Sequence, residues 1–222
     1  MDPAWIIHRD ARLIVLDTPS GLLAVPGRGP DLQDCLAARV HREFPAALVV
    51  HRLDRDTSGL LLMALDAEAQ RHASRQFEAR TVRKVYRCVV SGAPAADEGL
   101  VDLPIGRDLA RPPRYRIDHD HGRPSQTRWR VLERRGDTAL LEVAPLTGRS
   151  HQIRLHLAVI GHPILGDPLY ADEFALRGAP RLLLHATELA LAHPDERDLA
   201  RARDFARRVA AALPASASKR AG

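Results

Sequence analysis

Strand-like segments follow one another along this chain in runs, and helical patterns interrupt them at irregular intervals. Apolar and β-branched residues predict two short strands within 12–26 and further strands at 48–50, 60–65, 82–90, 127–133, 138–145 and 182–192. Apolar residues at helical spacing predict helices at 31–44, 66–80, 149–160 and 195–213. Because strands and helices do not alternate regularly, we predict an α+β fold with a mixed, mainly antiparallel sheet and flanking helices.

The length of 222 residues allows one large domain or two small lobes. We expect a single domain over 1–213 and a disordered tail at 214–222, where the residues are small and polar. No apolar run reaches the roughly 18 residues of a transmembrane helix, and the first residues lack the basic and apolar regions of a secretory signal. The two cysteines, Cys35 and Cys88, lie far apart, which fits a reducing cytoplasm.

The basic residues are clustered. The chain has 33 Lys+Arg against 28 Asp+Glu, and only Lys84 and Lys219 are lysines. Residues 71–87 hold six basic side chains and one acid, and residues 107–135 hold nine arginines and four acids. The segment 106–124 is also Pro-rich, which predicts an exposed loop or a ragged hairpin. Such surpluses indicate a surface that faces phosphates, although solvated faces carry similar runs, so charge alone leaves both interpretations open.

A dense polar turn lies between two of the predicted strands. It reads His51-Arg52-Leu53-Asp54-Arg55-Asp56-Thr57-Ser58-Gly59 and places ionisable groups at a sheet edge, where functional sites are common. Asp and Ser side chains in such a turn can also serve only to bind backbone N–H groups. A kinase catalytic loop is excluded, because no Asn follows at the required offset and no G-x-G-x-x-G precedes it. Asp54 and Asp56 lie too close together on one turn to flank a glycosidic bond.

A second polar segment, 145–156, begins the helix predicted at 149–160. Helical spacing places Arg149, Gln152, Ile153 and His156 on one side of that helix and directs Arg154 elsewhere. The exposed N–H groups at its start suit an anion, while a capped surface helix with solvated arginines is the alternative. His151 and His156 are five residues apart, a spacing that does not bring both to one metal ion. We therefore expect no metal site.

Five segments, among them these two motifs, resemble the RluA-type pseudouridine synthases. The resemblance also rests on Lys84-Val85-Tyr86, on the segment 146–154 (LTGRSHQIR), on 161–167 (GHPILGD) and on 182–186 (LLLHA). The segments 19–23 (PSGLL) and 101–105 (VDLPI) are similar to the short RluA branch. One departure is Thr18, where relatives usually carry Lys. The pattern begins by about Leu13, so we expect none of the N-terminal S4-type RNA-binding module that many relatives have.

The resemblance implies a reaction and a set of residues. It implies isomerisation of uridine to pseudouridine in RNA without a metal or other cofactor. Asp54 then acts as a nucleophile at the sugar or as the base that removes a sugar proton, Arg154 pairs with Asp54, and Tyr86 stacks on the target base. Arg52 either fills the space left by the flipped-out base or pairs with a phosphate. The remaining RNA-binding residues implied are His51, Arg55, Arg149, His151 and Gln152.

The resemblance also implies where the protein acts. The short RluA branch modifies a stem-loop of large-subunit ribosomal RNA and the anticodon stem-loop of some transfer RNAs, so we expect RNA hairpins of both kinds as substrates. We further expect a monomer that works in the cytoplasm. A non-catalytic RNA-binding or ribosome assembly factor is the alternative, and it is disfavoured because Asp54, Tyr86 and Arg154 are all present.

Overall fold

The computed structural model describes residues 1–195, which fall into two compact units. The first unit comprises Met1–Lys84 and the chain from Ala186 onward, and the second comprises Val85–His185. The helix predicted at 195–213, apart from its first residue, and the tail predicted at 214–222 lie outside the described residues. Within the described residues, no helix is both long enough and apolar enough to cross a membrane.

The first unit is built on a sheet in which the pairs β1–β2, β2–β4 and β3–β4 are antiparallel. Its strands lie in the order β1-β2-β4-β11, and β3 pairs with β4. Their bounds are β1 Ile6–Arg9, β2 Leu13–Thr18, β3 Leu48–Val49, β4 Ser58–Ala64 and β11 Leu184–Ala190, of which 186–190 belong to this unit. All seven residues of β4 are buried, as the continuous apolar sequence at 60–65 predicts. This strand directly follows the polar turn and fixes where that turn ends.

Helix α2 (Ala67–Glu78) confirms the prediction of a helix at 66–80. The Asp66 carboxylate accepts hydrogen bonds from the backbone N–H groups of Glu68 and Ala69, both at 2.9 Å, which caps the first turn. Ala69 and Ala73 are fully buried, so one face of the helix packs on the core. The opposite side carries the exposed Arg71 and Arg75.

Helix α1 (Leu36–His41) is shorter than predicted, and the second strand within 12–26 is absent from the described structure. The prediction of a helix at 31–44 was wrong at its start, because Pro30–Leu32 form a separate 3-10 turn and Cys35 is the N-cap of α1. The carbonyls of Leu23 and Ala24 accept hydrogen bonds from the first amides of α1 at 2.8 and 3.1 Å. Those carbonyls satisfy the helix start instead of pairing in a sheet.

The second unit contains a four-stranded antiparallel sheet and a separate two-stranded hairpin. The order of the sheet is β5-β10-β9-β6, and β7 pairs with β8. The bounds are β5 Arg83–Ser91, β6 Glu98–Asp102, β7 Ile105–Arg107, β8 Tyr115–Ile117, β9 Gln126–Arg135 and β10 Thr138–Pro145. The hairpins predicted at 127–145 and within 106–124 are thereby confirmed. We call residues 105–117, formed by β7, its tip and β8, the basic hairpin.

The sheet of the second unit packs against helix α3 (Gln152–Val159). Val90 and Leu141 of the sheet and Ile153 and Leu157 of α3 belong to one buried apolar cluster. The helix predicted at 149–160 begins three residues late, because His151 has a φ of 56° and lies in the left-handed region. All residues from Gln152 to Leu157 are buried, so α3 is not the capped surface helix with solvated arginines that the sequence left open as an alternative. A short helix, α4 (Glu173–Arg177), follows.

Candidate functional site

The segment 51–57 forms a tight turn between β3 and β4. The backbone N–H of Thr57 donates to the carbonyl of Asp54 at 3.0 Å and closes the turn. Leu53 is buried, Asp54 is half-buried, and Arg52 and Arg55 are exposed. The turn thus presents two cations to solvent and keeps a carboxylate partly withdrawn from water. That combination suits a reactive carboxylate next to an anionic substrate.

Four hydrogen bonds hold this turn against the end of β2 and the residues that follow it. The backbone N–H of Gly21 donates to the Arg55 carbonyl at 2.8 Å, and Arg55 Nε donates back to the Gly21 carbonyl at 3.1 Å. The Ser20 hydroxyl donates to the Asp56 carbonyl at 2.6 Å, and the Thr18 hydroxyl donates to the Gly59 carbonyl at 2.9 Å. The Pro-Ser-Gly motif therefore has a clear structural purpose, which the sequence analysis did not assign.

Two glycines make this arrangement possible. Gly21 has a φ of 91° and Gly59 a φ of 108°, both of which favour glycine. A Cβ atom on Gly59 would lie 2.3 Å from the backbone oxygen of Ala186, so the start of β4 could not approach β11 with any other residue. The turn is consequently fixed at both ends by backbone contacts.

His51 has a structural role in the first unit, and its contact with RNA stays a prediction. Its Nε2 accepts a hydrogen bond from the backbone N–H of Leu62 at 3.0 Å, and its ring stacks on Phe77 at 4.7 Å. Burial, assisted by the charge of Lys84, lowers the pKa of His51 to about 3. A neutral imidazole whose Nε2 is already an acceptor brings no positive charge to a phosphate.

Gln152 is likewise committed to the protein. Its side-chain oxygen accepts from the Thr147 hydroxyl at 2.7 Å and from the backbone N–H of Arg149 at 3.0 Å. Its amide group donates to the Gln126 carbonyl at 2.9 Å and to the Thr127 hydroxyl at 3.0 Å. All four hydrogen-bonding positions of the side chain are occupied by protein groups. These bonds fix the turn before α3, where Arg149 is half-buried, and the contact of Gln152 with RNA stays a prediction.

The same network fixes His156. Its Nε2 lies 3.0 Å from the Leu103 carbonyl and must carry the proton, so its Nδ1 accepts from the Thr127 hydroxyl at 2.9 Å. Burial lowers the pKa of His156. His156 is thus a neutral residue of the core. Among the described residues, no group of three or more His, Cys, Asp or Glu side chains could hold a metal ion.

Arg154 is held by a partner that the sequence analysis missed. Its Nε and Nη2 donate to the two oxygens of Asp167 at 2.9 and 2.6 Å, and both side chains are 1% exposed. The Asp167 carboxylate also accepts from the backbone N–H groups of Leu169 and Tyr170. Asp167 ends the segment 161–167, so its presence in a motif was the available signal. The predicted pairing of Arg154 with Asp54 stays a prediction.

His151 and Tyr86 complete the predicted residues of the second unit. His151 lies 2.8 Å from the Tyr170 hydroxyl, and its ring meets those of Tyr115 and Tyr170 edge-on. Tyr86 lies in β5 opposite Val143, is half-buried and packs on the core cluster. The sequence pattern predicts that strand position, whereas the ring contacts of His151 depend on residues distant in sequence.

The two basic clusters, 71–87 and 107–135, differ in which of their arginines pair with acids. In 107–135, five of the nine arginines form ion pairs, which are Arg111–Asp108, Arg116–Asp118, Arg130–Glu142, Arg134–Asp97 and Arg135–Glu133. In 71–87, Arg83 pairs with Glu188, whereas Arg71, Arg75 and Arg80 pair with no acid that the structure describes. Residues 71–80 therefore present arginines that no described acid neutralises.

Comparisons with known proteins identify the family. The family model described as RNA pseudouridylate synthase matches residues 12–159. The chain is 45% identical over 190 residues to the dual-specificity RNA pseudouridine synthase RluA of Escherichia coli K12, covering 85% of this chain and 87% of the relative. It is 43% identical over 191 residues to the protein of the same name from Yersinia pestis, with 86% and 93% covered.

Two solved human structures have a similar fold. The human RNA pseudouridylate synthase domain containing 1 has a TM-score of 0.74 at 31% identity, covering 86% of this chain and 79% of that chain. The human RNA pseudouridylate synthase domain containing 4 has a TM-score of 0.68 at 26% identity, with 85% and 84% covered. These likenesses confirm the α+β class with its mainly antiparallel sheet.

Proposed function

The chain belongs to the RNA pseudouridylate synthase family and is a pseudouridine synthase, and from this premise we propose that it modifies uridines in stem-loops of both large-subunit ribosomal RNA and transfer RNA. The support is its 45% identity, over most of both chains, to relatives named as dual-specificity enzymes. This family membership favours catalysis over the alternative of a non-catalytic RNA-binding or assembly factor.

The reaction rearranges one nucleotide. The bond between N1 of uracil and C1′ of the ribose breaks, the base turns, and C5 bonds to C1′ in its place. C5 loses a proton and N1 gains one, so the product has the composition of the substrate. We propose that no metal or other cofactor takes part, because the rearrangement adds and removes nothing. We also propose that the protein works as a monomer in the cytoplasm. We further propose a single catalytic domain, since the matched region 12–159 includes residues of both units.

We propose Asp54 as the catalytic carboxylate. The observation that carries this role is the turn itself, whose backbone is held by hydrogen bonds at Gly21, Ser20 and Thr57 while Asp54 stays half-buried. A fixed carboxylate does not lose orientation when the substrate arrives, which favours the reacting geometry. It would act either as the nucleophile at the sugar or as the base that takes a sugar proton.

We assign supporting roles to three further side chains. Tyr86 would stack on the target uracil, since a half-buried aromatic ring offers a flat apolar surface. Arg154 would pair with Asp54 and stabilise its charge, with Asp167 holding the guanidinium in place. Arg52, which is exposed on the turn, would fill the space left by the flipped-out base or pair with a phosphate.

RNA outside the target nucleotide would be held by arginines. Arg55, Arg149 and His151 stay as proposed contacts near the site. The α2 arginines and the exposed arginines of the basic hairpin would neutralise backbone phosphates, which supplies affinity without reading sequence. His51 and Gln152 stay proposed contacts too, while His51 Nε2 and the Gln152 side-chain amide also bind protein groups.

Incubating the purified protein with one ribosomal and one transfer RNA hairpin tests this function. We expect pseudouridine at one position in each hairpin, mapped by chemical labelling and primer extension, without added metal or nucleotide. A hairpin in which the target uridine is replaced by cytidine is the matched control and should stay unmodified. Modification of one hairpin only would contradict the dual substrate assignment, and modification of neither would contradict the stem-loop assignment.

A further inference from the structure

One hydroxyl group joins the basic hairpin to the segment before α3. The oxygen of Tyr170 accepts the backbone N–H of Tyr115, in β8, at 2.8 Å. The same oxygen lies 2.8 Å from Nδ1 of His151, the residue immediately before α3. The Tyr115 amide can only donate, so the Tyr170 oxygen accepts from it. The Tyr170 hydroxyl can in turn donate a hydrogen bond to His151 Nδ1. The phenol therefore bridges a strand of the hairpin and the start of the helix.

The turn that carries Tyr170 also holds Arg154. Asp167 binds the guanidinium through both oxygens and accepts the backbone N–H of Tyr170 at 3.3 Å. The carbon of the same guanidinium lies 5.5 Å from the centre of the Tyr170 ring, a cation–π distance. One short segment, 167–170, thus contacts both the proposed catalytic arginine and the hairpin.

The hairpin itself is internally ordered. At its tip the Asp108 carboxylate accepts from the backbone N–H groups of Ala110 and Arg111, each at 3.2 Å, and pairs with the Arg111 guanidinium at 3.0 Å. The hairpin forms a two-stranded sheet of its own. Because the basic hairpin is ordered internally, the contacts at its base determine its direction. Tyr170 supplies the side-chain hydrogen bond made there by β8.

The backbone conformation of His151 also shows that this region is held by contacts. A φ of 56° is unfavourable for a residue other than glycine, and it persists where surrounding contacts enforce it. Here the contacts are the rings of Tyr115 and Tyr170, edge-on at 5.3 and 5.6 Å, and the Tyr170 hydroxyl. The strained residue is therefore held from the hairpin side and from the Tyr170 side together.

We propose that Tyr170 is a positioning residue that sets the direction of the basic hairpin relative to α3, so that the hairpin arginines meet the RNA backbone when the substrate is bound. The inference rests on the proposed function, because RNA is the partner that the hairpin would contact. Tyr170 acts through the Tyr115 amide and through His151, and it takes no part in the bond rearrangement.

A pair of matched variants tests this role. Tyr170→Phe keeps the ring over Arg154 and removes the hydroxyl, whereas Tyr115→Phe removes a hydroxyl that makes no hydrogen bond with the described part of the chain. We expect Tyr170→Phe to raise KM for an RNA hairpin about three- to tenfold, the range for one lost hydrogen bond, at a kcat close to that of the wild type. Tyr115→Phe should leave both constants unchanged.

A second substitution shows whether the effect passes through the hairpin. Arg107→Gln removes an exposed hairpin arginine and should raise KM by itself. If Tyr170 acts by positioning that arginine, the KM increase of the double variant should be smaller than the product of the two single KM increases. Independent, multiplying effects would overturn the proposal, as would a Tyr170→Phe variant that matches Tyr115→Phe or that loses kcat at an unchanged KM.

Hydrogen exchange of the wild-type protein gives a test that needs no variant. The Tyr115 amide should exchange slowly, because Tyr170 accepts its proton. Rapid exchange of that amide would overturn the anchor. Failure of the wild type to modify any RNA hairpin would instead contradict the proposed function, so the two failures are distinguishable.

Discussion

Asp54 and Asp56 are two half-buried carboxylates on the same turn, and only Asp54 is proposed to react. Asp54→Asn keeps the side-chain volume and removes the charge. We expect pseudouridine formation to fall by about 10³-fold or more while RNA affinity changes little, since an interaction of the reaction itself is lost. Asp56→Asn is the matched control and should retain activity. Equal losses from both variants would indicate a carboxylate pair and would contradict the single role of Asp54.

The buried pair Arg154–Asp167 makes a prediction about stability. Asp167→Asn leaves a guanidinium that is 1% exposed without its counter-charge, so we expect the free energy of unfolding to fall by about 3–5 kcal/mol. Glu173→Gln breaks the exposed pair with Arg177 and should cost about 0–1 kcal/mol. Urea unfolding measures both changes. Equal stabilities would show that Asp167 is not the main counter-charge of Arg154.

His51 makes a prediction about pH. Its pKa is about 3 in the folded protein against 6.5 as the ordinary value, so the unfolded chain binds a proton there that the folded protein excludes. Excluding this proton costs no stability above about pH 6.5, where His51 is neutral in both states. The free energy of unfolding then falls as the pH drops from about 6.5 towards about 3. His51→Gln can still accept the Leu62 N–H but does not titrate, so its stability should depend less on pH over this range. Parallel profiles for wild type and variant would contradict the burial of a neutral His51.

Elements with strong local signals could be predicted from the sequence, and elements defined by distant contacts could not. Helix α2 and strands β9 and β10 follow local patterns, and the structure has them close to the predicted segments 66–80, 127–133 and 138–145. The missing strand after Gly21 depended on the carbonyls of Leu23 and Ala24, which bind the start of α1. No local pattern records that competition.

The candidate site divides in the same way. The resemblance to the RluA-type synthases implied Asp54, Tyr86 and Arg154 as the reactive set, and these stay proposals. The residues that hold the site, such as Ser20 and Asp167, depend on contacts across 36 and 13 positions of sequence. His51 and Gln152, both predicted to contact RNA, also bind protein groups. Polar residues in a motif are as often needed for the backbone as for the substrate.

Helix α2 and strand β9 carry arginines that should differ in their contribution to RNA binding. Arg71 and Arg75 are exposed at i, i+4 spacing without a described acid, and mutual repulsion there is relieved by phosphates. Changing both to Gln should flatten the dependence of log affinity on log salt by about 1.5, or roughly 0.7–0.9 per lost phosphate contact.

Arg134 and Arg135 provide the matched control for this charge change. They pair with Asp97 and Glu133 in the protein, so replacing both by Gln should change the salt dependence of RNA binding much less. Fluorescence anisotropy over a range of salt concentrations measures both slopes. Equal slopes for the two double variants would show that ion pairing within the protein does not decide which arginines contact RNA.

For the whole molecule, the proposed catalytic aspartate has to serve every substrate. If the protein modifies both ribosomal and transfer RNA hairpins, as proposed, the two RNAs must compete for the turn that carries Asp54. We therefore expect the unlabelled transfer RNA hairpin to inhibit modification of a labelled ribosomal hairpin competitively. Its inhibition constant should equal its KM as a substrate, provided that substrate release is faster than the chemical step.

The reverse experiment, with the label on the transfer RNA hairpin, should give the same relation. A transfer RNA hairpin with cytidine at the target position should inhibit as well without being modified, because the proposed backbone contacts do not read the base. Inhibition that leaves the KM of the labelled hairpin unchanged would indicate separate binding surfaces for the two RNAs. In that case the α2 arginines and the basic hairpin would each serve a different substrate, and the salt dependence measured with each RNA would respond to only one of the two sets of substitutions.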